Sequence, residues 1–529
     1  MKKFAACLVG AAFIALATAP TLAETPQDTL VMAWQFDDIT TLDPAEIFEL
    51  SGAEYGAQVY DRLISYDVED VSKIEPRIAE SWTVSDDGKT YTFKIRDGMK
   101  FHSGNPVTAE DAAYSLQRAV KLNKTPVFIL TQFGFTPENV DEKVRATDPN
   151  TLVIETDKAY APTFVLYCLT SSIAAVVDSK LLKEHEKDGD FGYGWLRTNS
   201  AGSGPFKLRQ WKASELMMLD ANPDYWQGAP KLNRVIIRHI AEPATQRLLL
   251  EQGDIDVARD LQPEQFEPLR ANDAIDIVES PKGTLWYFGL NQKNEILAKP
   301  EVRQAMRYVV DYDGIRQTIM NGQGTVHQAF LPKGFLGAVT DKPFSYDPEK
   351  AKQLLTEAGY PDGFTVTMDV RNTSPTMDMA QAIQAGAAKA GIKIEIIPGD
   401  GKQTLTKYRA RNHDIYIGQW GPDYQDPHTN AETFASNPDN ADDGATKTLA
   451  WRNAWEIPEL TEKTAAAVLE RDAEKRAETY QELQRAVMED SPFTIMFQET
   501  EVIAERAGVD GLIWGPSFDA NYYWKASKN

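Results

Sequence analysis

The sequence predicts an α/β protein with mixed sheets and at least two domains, and three observations lead to that prediction. The chain has 529 residues and 42% hydrophobic content, which is enough for more than one core. Strand-like alternation leads into a capped helix within residues 81–116. A strand, helix and strand follow one another in residues 364–396, and such a unit places its two strands in parallel.

Residues 81–116 predict a strand, a turn, a second strand, a second turn and a helix. Polar and apolar residues alternate in residues 90–95, which is the period of a half-buried strand. Asp97-Gly98 supplies turn chemistry before a second strand through residues 99–101. The Thr108 hydroxyl is placed to cap the helix, with Asp111 three residues later.

The second half of the chain shows helical and strand periods in alternation. Val302, Ala305, Met306 and Val309 recur at the spacing of one buried helical stripe. Further along, the same patterns predict these elements: a helix over 348–358 capped by Asp347 and ended by Gly359, a strand over 364–370, a helix over 376–390 and a strand over 392–396.

The amino end has the pattern of a secretory signal peptide. Lys2 and Lys3 precede an apolar run over residues 4–17, and small residues lead to an expected cleavage after Ala23. Cys7 lies inside the apolar run and not at the cleavage point, so we expect no lipid anchor. Cys168 is then the one cysteine of the mature chain, and no intramolecular disulfide can form. We expect a mature protein, starting at Glu24, that does not insert into a membrane.

Charge narrows the range of partners. The formal net charge is −23 at pH 7, so nucleic acid is not an expected partner. The six histidines are scattered without ligand-type spacing, and the sequence predicts neither a metal site nor a cofactor.

Several motifs resemble, in order, those of extracytoplasmic solute-binding proteins that serve peptide-type ABC importers, the dipeptide- and oligopeptide-binding group called family 5. Beside the segment in residues 91–111, the resemblance rests on Leu42-Asp43-Pro44, Tyr60-Asp61-Arg62-Leu63, Ala201-Gly202-Ser203-Gly204-Pro205-Phe206, Asn222-Pro223-Asp224-Tyr225-Trp226 and Gly253-Asp254-Ile255-Asp256. The Gly202–Gly204 turn is either a tight structural turn or a place where backbone approaches a ligand.

The resemblance implies a two-lobed periplasmic binding protein fold of type II, in its large cluster C form. Its mixed sheets would carry an inserted second lobe and an extra subdomain in the first lobe. On this sequence we place lobe I at 24–280 and 501–529, the extra subdomain at about 51–190, and lobe II at 281–500. The implied function is capture of a short peptide in an interlobe cleft of a periplasmic monomer, which delivers it to an inner-membrane ABC permease without chemistry of its own.

The resemblance also implies where ligand would bind. In residues 415–427 an apolar strand ends in an aromatic residue, and glycine, proline and two carboxylates follow. In peptide-binding relatives a carboxylate of this loop pairs with the ligand's α-ammonium, since a buried cation needs a charged partner. Asp423 is the first choice and Asp426 the reserve, although both could simply cap turns. Trp420 and Gly421 would form the adjoining wall, although a tryptophan there is as often core.

Three further residues complete the expected site. Arg371 follows the strand over 364–370, and an arginine of this region holds the ligand carboxylate in some dipeptide-binding relatives, because its planar fork fits a carboxylate. Asn291, after the apolar residues 286–290, and Trp34, near the start of the mature chain, can face the cleft in the family.

Other functions remain open at this stage. Members of the same group carry nickel chelates, opines and oligosaccharides, and a chemosensory or chaperone role could be added to transport. A secreted hydrolase is the rival class. Ser203 lacks the flanking glycines of a nucleophile elbow, and His185-Glu186 lacks the second histidine of a zinc protease helix.

Overall fold

The computed structural model describes residues 24–444 and 447–529, so the expected signal peptide lies outside the described residues. The strands of the described residues are β1 (Thr29–Trp34), β2 (Ile64–Tyr66), β3 (Ile74–Pro76), β4 (Ala79–Val84), β5 (Thr90–Ile95), β6 (Val144–Asp148), β7 (Thr151–Glu155), β8 (Phe206–Lys212), β9 (Leu216–Ala221), β10 (Arg234–His239), β11 (Val257–Ala258), β12 (Ile275–Leu290), β13 (Gly324–Val326), β14 (Phe364–Arg371), β15 (Ile392–Gly399), β16 (Ile415–Trp420), β17 (Phe493–Arg506), β18 (Val509–Asp510) and β19 (Ser527–Lys528).

The helices cover the faces and edges of the sheets. They are α1 (Leu50–Val59), α2 (Ala109–Leu122), α3 (Phe128–Thr131), α4 (Val140–Lys143), α5 (Pro162–Cys168), α6 (Ser179–His185), α7 (Tyr193–Leu196), α8 (Pro243–Gln252), α9 (Pro263–Arg270), α10 (Pro300–Tyr308), α11 (Tyr312–Ile315), α12 (Pro348–Glu357), α13 (Thr376–Lys389), α14 (Gly401–Arg409), α15 (His428–Ala435), α16 (Leu449–Arg452), α17 (Pro458–Ala467) and α18 (Ala473–Glu489). Within residues 24–444 and 447–529, none of them is long and apolar enough to cross a bilayer.

One large mixed sheet runs through the molecule. Within the described residues its order is β15-β14-β16-β12-β17-β11-β1-β10-β9-β8, and β13 pairs with β17. β1 and β10 are parallel, as are β14 and β15, whereas β12 and β17 are antiparallel. The predictions of a mixed α/β architecture and of a parallel strand–helix–strand unit over residues 364–396 are confirmed.

The two longest strands join the halves of this sheet. The first part of β12 faces β17 where β17 also pairs with β11, and the last part of β12 pairs with β16. The register between β12 and β17 breaks between Pro281 and Leu285. The lobe boundaries near residues 280 and 500 stay a prediction, and this break lies at the same place along the chain.

A separate four-stranded sheet, in the order β4-β5-β7-β6, contains the motif-rich segment. Its β5 spans residues 90–95 as predicted, and Thr108 and Asp111 form the predicted capping box of α2. The second strand predicted over residues 99–101 is wrong. The Phe101 N–H donates to the carbonyl oxygen of Asn105 in a tight turn, and a single bridge between Lys100 and Pro106 is all the pairing that residues 99–101 make.

The Gly202–Gly204 turn packs against the end of α1. A Cβ atom on Gly202 would lie 1.9 Å from the carbonyl oxygen of Val59, and one on Gly204 would lie 2.6 Å from the Val59 carbonyl carbon. Of the two alternatives for this turn, the structure therefore supplies the structural reason for glycine.

Four charged side chains meet beside the register break between β12 and β17, and we call them the crossover network: the buried Glu54, Arg259 and Lys282, and Glu501, which is 13% exposed. Arg259 Nη1 lies 2.6 Å from Glu54 Oε1, and its Nη2 lies 2.6 Å from Glu501 Oε1. Lys282 Nζ lies 3.0 Å from Glu501 Oε2. Two positive and two negative charges therefore balance inside the protein, which is the condition under which buried ions are tolerated.

Aromatic rings and the carboxyl-terminal segment enclose this network. The Arg259 guanidinium carbon lies 4.5 Å from the centre of the Trp34 ring and 4.8 Å from that of Trp514. The Asn521 side chain donates to Glu54 Oε2 at 3.1 Å. Burial raises the pKa of Glu501, but Arg259 and Lys282 outweigh it and hold that pKa below its usual value.

Removing one charge of the network should destabilise the protein strongly. We expect Arg259→Met to lower the free energy of unfolding by about 3–5 kcal/mol, because Glu54 and Glu501 lose a buried partner. The matched control is Arg270→Met, because Arg270 and Glu279 form an ion pair that is 41% and 49% exposed. The control should cost less than about 1 kcal/mol. Urea denaturation measures both, and equal small losses would contradict the importance of the network.

Candidate functional site

The loop after β16 lies against β12, at the register break between β12 and β17. Trp420 pairs with Leu285 of β12, at the end of the register break. The next turn of chain packs on Gly283, where a Cβ atom would lie 3.2 Å from the Pro422 ring. The Gly283 N–H donates to the carbonyl oxygen of Pro516. Strand β12 and the carboxyl-terminal segment therefore hold the start of the loop in place.

The same loop also touches the part of the chain that follows the four-stranded sheet. The Phe164 ring of α5 lies 5.9 Å from the Tyr424 ring and 5.2 Å from the His428 ring, both edge-on. The Ala161 N–H donates to the carbonyl oxygen of Val468 at 2.9 Å. Residues 421–428 therefore lie between α5 on one side and the β16 half of the large sheet on the other.

Asp426 is held by an arginine that the sequence analysis did not foresee. Arg476 of α18 binds its two carboxylate oxygens at 2.6 and 2.7 Å, and both side chains are at most 1% exposed. The His428 N–H donates to the same carboxylate. Because Arg476 already neutralises the charge of Asp426, Asp426 is not part of the proposed site.

Asp423 is in the opposite condition. It is half-buried, and no lysine, arginine or histidine nitrogen of the described residues lies within 4.0 Å of its carboxylate. Its one side-chain partner is the Thr429 hydroxyl, at 3.5 Å. Burial and the negative charge of Glu432 raise the pKa of Asp423 to about 7, against weaker lowering by Thr429 and Arg452. Asp423 is therefore a carboxylate without a cation.

Glu432 is a second carboxylate of this site that the sequence analysis missed. It lies on α15, is half-buried, and has no ion-pair partner in the described part of the chain. Burial raises its pKa as well. The sequence offered one signal: Glu432 is four residues after His428 and so falls on the same face of the helix that follows the loop.

Trp420 and Gly421 differ in what the structure says of them. Trp420 is half-buried at the end of β16, and its buried Nε1–H has no hydrogen-bond partner among the described residues. Gly421 is exposed, and a Cβ atom there would meet only the Thr284 hydroxyl at an ordinary 3.7 Å. Trp420 can wall a binding site, whereas nothing in the structure requires glycine at residue 421.

Arg371 lies on the same edge of the sheet as Trp420. It ends β14, which runs parallel to β16, and the register pairs Asp369 with Tyr416. Its side chain is exposed and lies against Gly401 at the start of α14. Its guanidinium has no carboxylate within 4.0 Å in the described residues.

Asn291 and Trp34 lie apart from the loop. The Asn291 side chain donates to the backbone oxygens of Arg411 and His413, at the beginning of β16 and so at the end opposite Trp420. Trp34 is 5% exposed beneath Arg259 of the crossover network. The structure therefore does not bring either residue together with Asp423, since the first organises a loop and the second shields a buried ion.

A family comparison decides what kind of protein this is. The sequence profile described as bacterial extracellular solute-binding proteins, family 5 Middle, matches residues 73–442, well over half of the chain. The chain belongs to this family. The two-lobed fold with mixed sheets that the motifs predicted is confirmed for this family 5 protein.

Two curated relatives match nearly the whole of this family 5 chain. The probable D,D-dipeptide-binding periplasmic protein DdpA of Escherichia coli K12 is 29% identical over 504 residues, covering 94% of this chain and 93% of the relative. The glutathione-binding protein GsiB of the same strain is 27% identical over 483 residues, covering 90% of each.

A solved structure shows the same fold. The periplasmic binding protein DppA from Helicobacter pylori, in complex with the peptide STSA, has a TM-score of 0.77 at 24% identity. The match covers 94% of this chain and 98% of that chain.

The unpaired carboxylate should make the ligand-free family 5 protein less stable as pH rises. The folded state holds the Asp423 proton to about pH 7, whereas an unfolded chain releases it near pH 4, so stability is lost between those values. We expect Asp423→Asn to match the wild type near pH 4 and to exceed its free energy of unfolding by about 2–4 kcal/mol at pH 8. Denaturation at several pH values measures this difference. Asp426→Asn, which breaks a satisfied pair, should be less stable at pH 8, and a similar loss for Asp423→Asn would contradict our description.

Proposed function

We propose that this family 5 protein is the substrate-binding component of an ABC importer and that it captures short peptides between its lobes. The observation that carries the proposal is the carboxylate of Asp423, which has no cationic partner in the described residues. Its loop contacts α5 through Tyr424 and β12 through Pro422. Delivery of the solute to an inner-membrane permease requires recognition only, and we propose that the protein performs no chemistry itself.

A peptide α-ammonium is the chemical group that Asp423 lacks. Charge-assisted hydrogen bonds from an ammonium would satisfy a carboxylate that has the Thr429 hydroxyl as its one side-chain partner. Binding would also relieve the repulsion from Glu432, because a cation between two carboxylates is attracted to both. Trp420 would cover the adjoining apolar part of the ligand.

Arg371 suits the other end of the peptide. It is on the same sheet edge as Trp420, is exposed and has no carboxylate partner in the described residues. A guanidinium fork can hold a peptide carboxylate through two parallel hydrogen bonds. An acidic group and a basic group on one edge therefore match a zwitterionic ligand.

The relatives support a peptide over the other solutes of the group. DdpA is named for D,D-dipeptide binding and GsiB for glutathione binding, and the alternatives of a nickel chelate, an opine or an oligosaccharide have no better support. A secreted hydrolase is the least favoured, because the family and these relatives are binding proteins. We further propose a periplasmic location after cleavage near Ala23, as a monomer.

Loss of the carboxylate should weaken binding strongly. We expect Asp423→Ala to lower the affinity for Ala-Ala by about 2–5 kcal/mol, since the peptide ammonium loses its charged partner. Isothermal titration calorimetry measures the affinity after unfolding and refolding have removed any retained solute.

The matched control is Asp362→Ala, because Asp362 is exposed in the loop between α12 and β14. This variant should bind Ala-Ala as the wild type does. An unchanged affinity for Asp423→Ala would remove Asp423 from the site. Failure of every short peptide to bind the wild type would overturn the peptide function itself.

A further inference from the structure

One face of β16 forms an aromatic floor that leads to Asp423. Tyr416, Gly418 and Trp420 lie on this face because side chains alternate along a strand. The Tyr416 ring covers Gly418, where a Cβ atom would lie 2.5 Å from the tyrosine Cε1. Tyr408 of α14 stacks on Tyr416 with ring centres 3.9 Å apart. Gly418 is thus the residue that lets the tyrosine lie flat along the strand.

Three arginines border this floor: Arg371 at the end of β14, Arg409 at the end of α14 and Arg452 at the end of α16. Burial raises the pKa of the Tyr416 phenol, and the positive charges of these three arginines oppose that rise. Geometry places two of them at the stacked tyrosines, because the Arg452 guanidinium carbon lies 5.5 Å from the Tyr408 ring centre and Arg409 follows Tyr408 in α14. The parallel register pairs Asp369 with Tyr416, and continued by two residues it places Arg371 beside Gly418.

None of these arginines has an acidic partner. No carboxylate of the described residues lies within 4.0 Å of their side-chain nitrogens, and residues 1–23 and 445–446 contain no Asp or Glu. By contrast, three deeply buried arginines each bind carboxylates. Arg118 binds Asp43, and Arg476 binds Asp426. Arg259 binds both Glu54 and Glu501.

Arg452 is the most constrained member of the group. It is half-buried, its guanidinium carbon lies 5.5 Å from the Tyr408 ring centre, and its buried Nε–H has no hydrogen-bond partner in the described chain. Its charge adds to burial in lowering the pKa of Arg409. Its charge also reaches Asp423, where it slightly favours the ionised carboxylate. Arg452 therefore lies beside the stacked tyrosines with a buried N–H that no group of the described chain accepts.

We propose that Arg452, with Arg409, forms a second anion subsite beside Arg371 and that the ligand is a short peptide with a carboxylate beyond its C-terminal one. This inference rests on the proposed function and names the substrate class of the same site. The charges agree with it. Asp423 and Glu432 contribute two negative charges and the arginines three positive charges, so a ligand with one ammonium and two carboxylates makes the sum zero.

Acidic and neutral peptides of one shape provide the test. The probes are Ala-Glu and Glu-Ala, each compared with its amide isostere, Ala-Gln and Gln-Ala, by isothermal titration calorimetry at low salt. We expect the wild type to bind at least one acidic peptide 10-fold or more tightly than its isostere. Arg452→Gln should reduce that ratio to threefold or less, while Arg452→Lys, which keeps the charge, should retain most of it.

The matched control is Arg485→Gln, because Arg485 is 56% exposed on α18 and pairs with Asp341. It should leave the ratio unchanged. Equal binding of acidic and amide peptides by the wild type would overturn the subsite, as would a preference that survives both Arg452→Gln and Arg409→Gln. If Arg452→Gln does not fold, the wild-type ratio and Arg409→Gln still decide. Failure of all four peptides and of Ala-Ala to bind is a different result, which rejects the proposed function.

Discussion

The balanced crossover network is the interaction on which the rest of the structure depends. Glu54 comes from α1, Arg259 follows β11, and Lys282 and Glu501 belong to β12 and β17, so one set of ion pairs joins elements far apart in sequence. The register break of β12 begins beside Lys282. Gly283 packs against the Pro422 ring, and this contact positions the loop that contains Asp423. A neutral apolar core could fill the same volume, but it would not supply the directed ion pairs that join Arg259 to both α1 and β17.

Paired and unpaired charges separate structure from function in this protein. Asp426 and Asp423 lie in one loop, yet the first is matched by Arg476 and the second has no cation. A partly buried carboxylate without a partner costs stability in the ligand-free protein, and under the proposed function the ammonium of a bound peptide would recover that cost. The unpaired arginines along β16 follow the same principle with the opposite sign.

Local patterns in the sequence predicted several of the elements, but the strand expected over residues 99–101 is a tight turn, and the long-range ion pairs were not predictable from the sequence. The cap of α2 and the parallel β14 and β15 depend on residues close in the chain, so their periods were visible. Asp426 forms its ion pair with Arg476, fifty residues later in the chain, and no sequence pattern predicts a pair at that separation. Asn291 could not be positioned from the sequence because an apolar strand does not show which residues lie beside its ends, whereas the register with β16 places Asn291 at the end opposite Trp420.

The most direct test of the account is the number of protons released when a peptide binds. Calorimetry of Ala-Ala binding at pH 6, in buffers of different ionisation enthalpy, gives this number. Because the pKa of Asp423 in the ligand-free protein is about 7, the carboxyl holds its proton at pH 6 and must lose it to pair with an ammonium. We expect release of about one proton per peptide, a smaller fraction at pH 7.5, and none from Asp423→Asn. Binding at pH 6 without proton release would contradict the claim that Asp423 receives the ligand's positive charge.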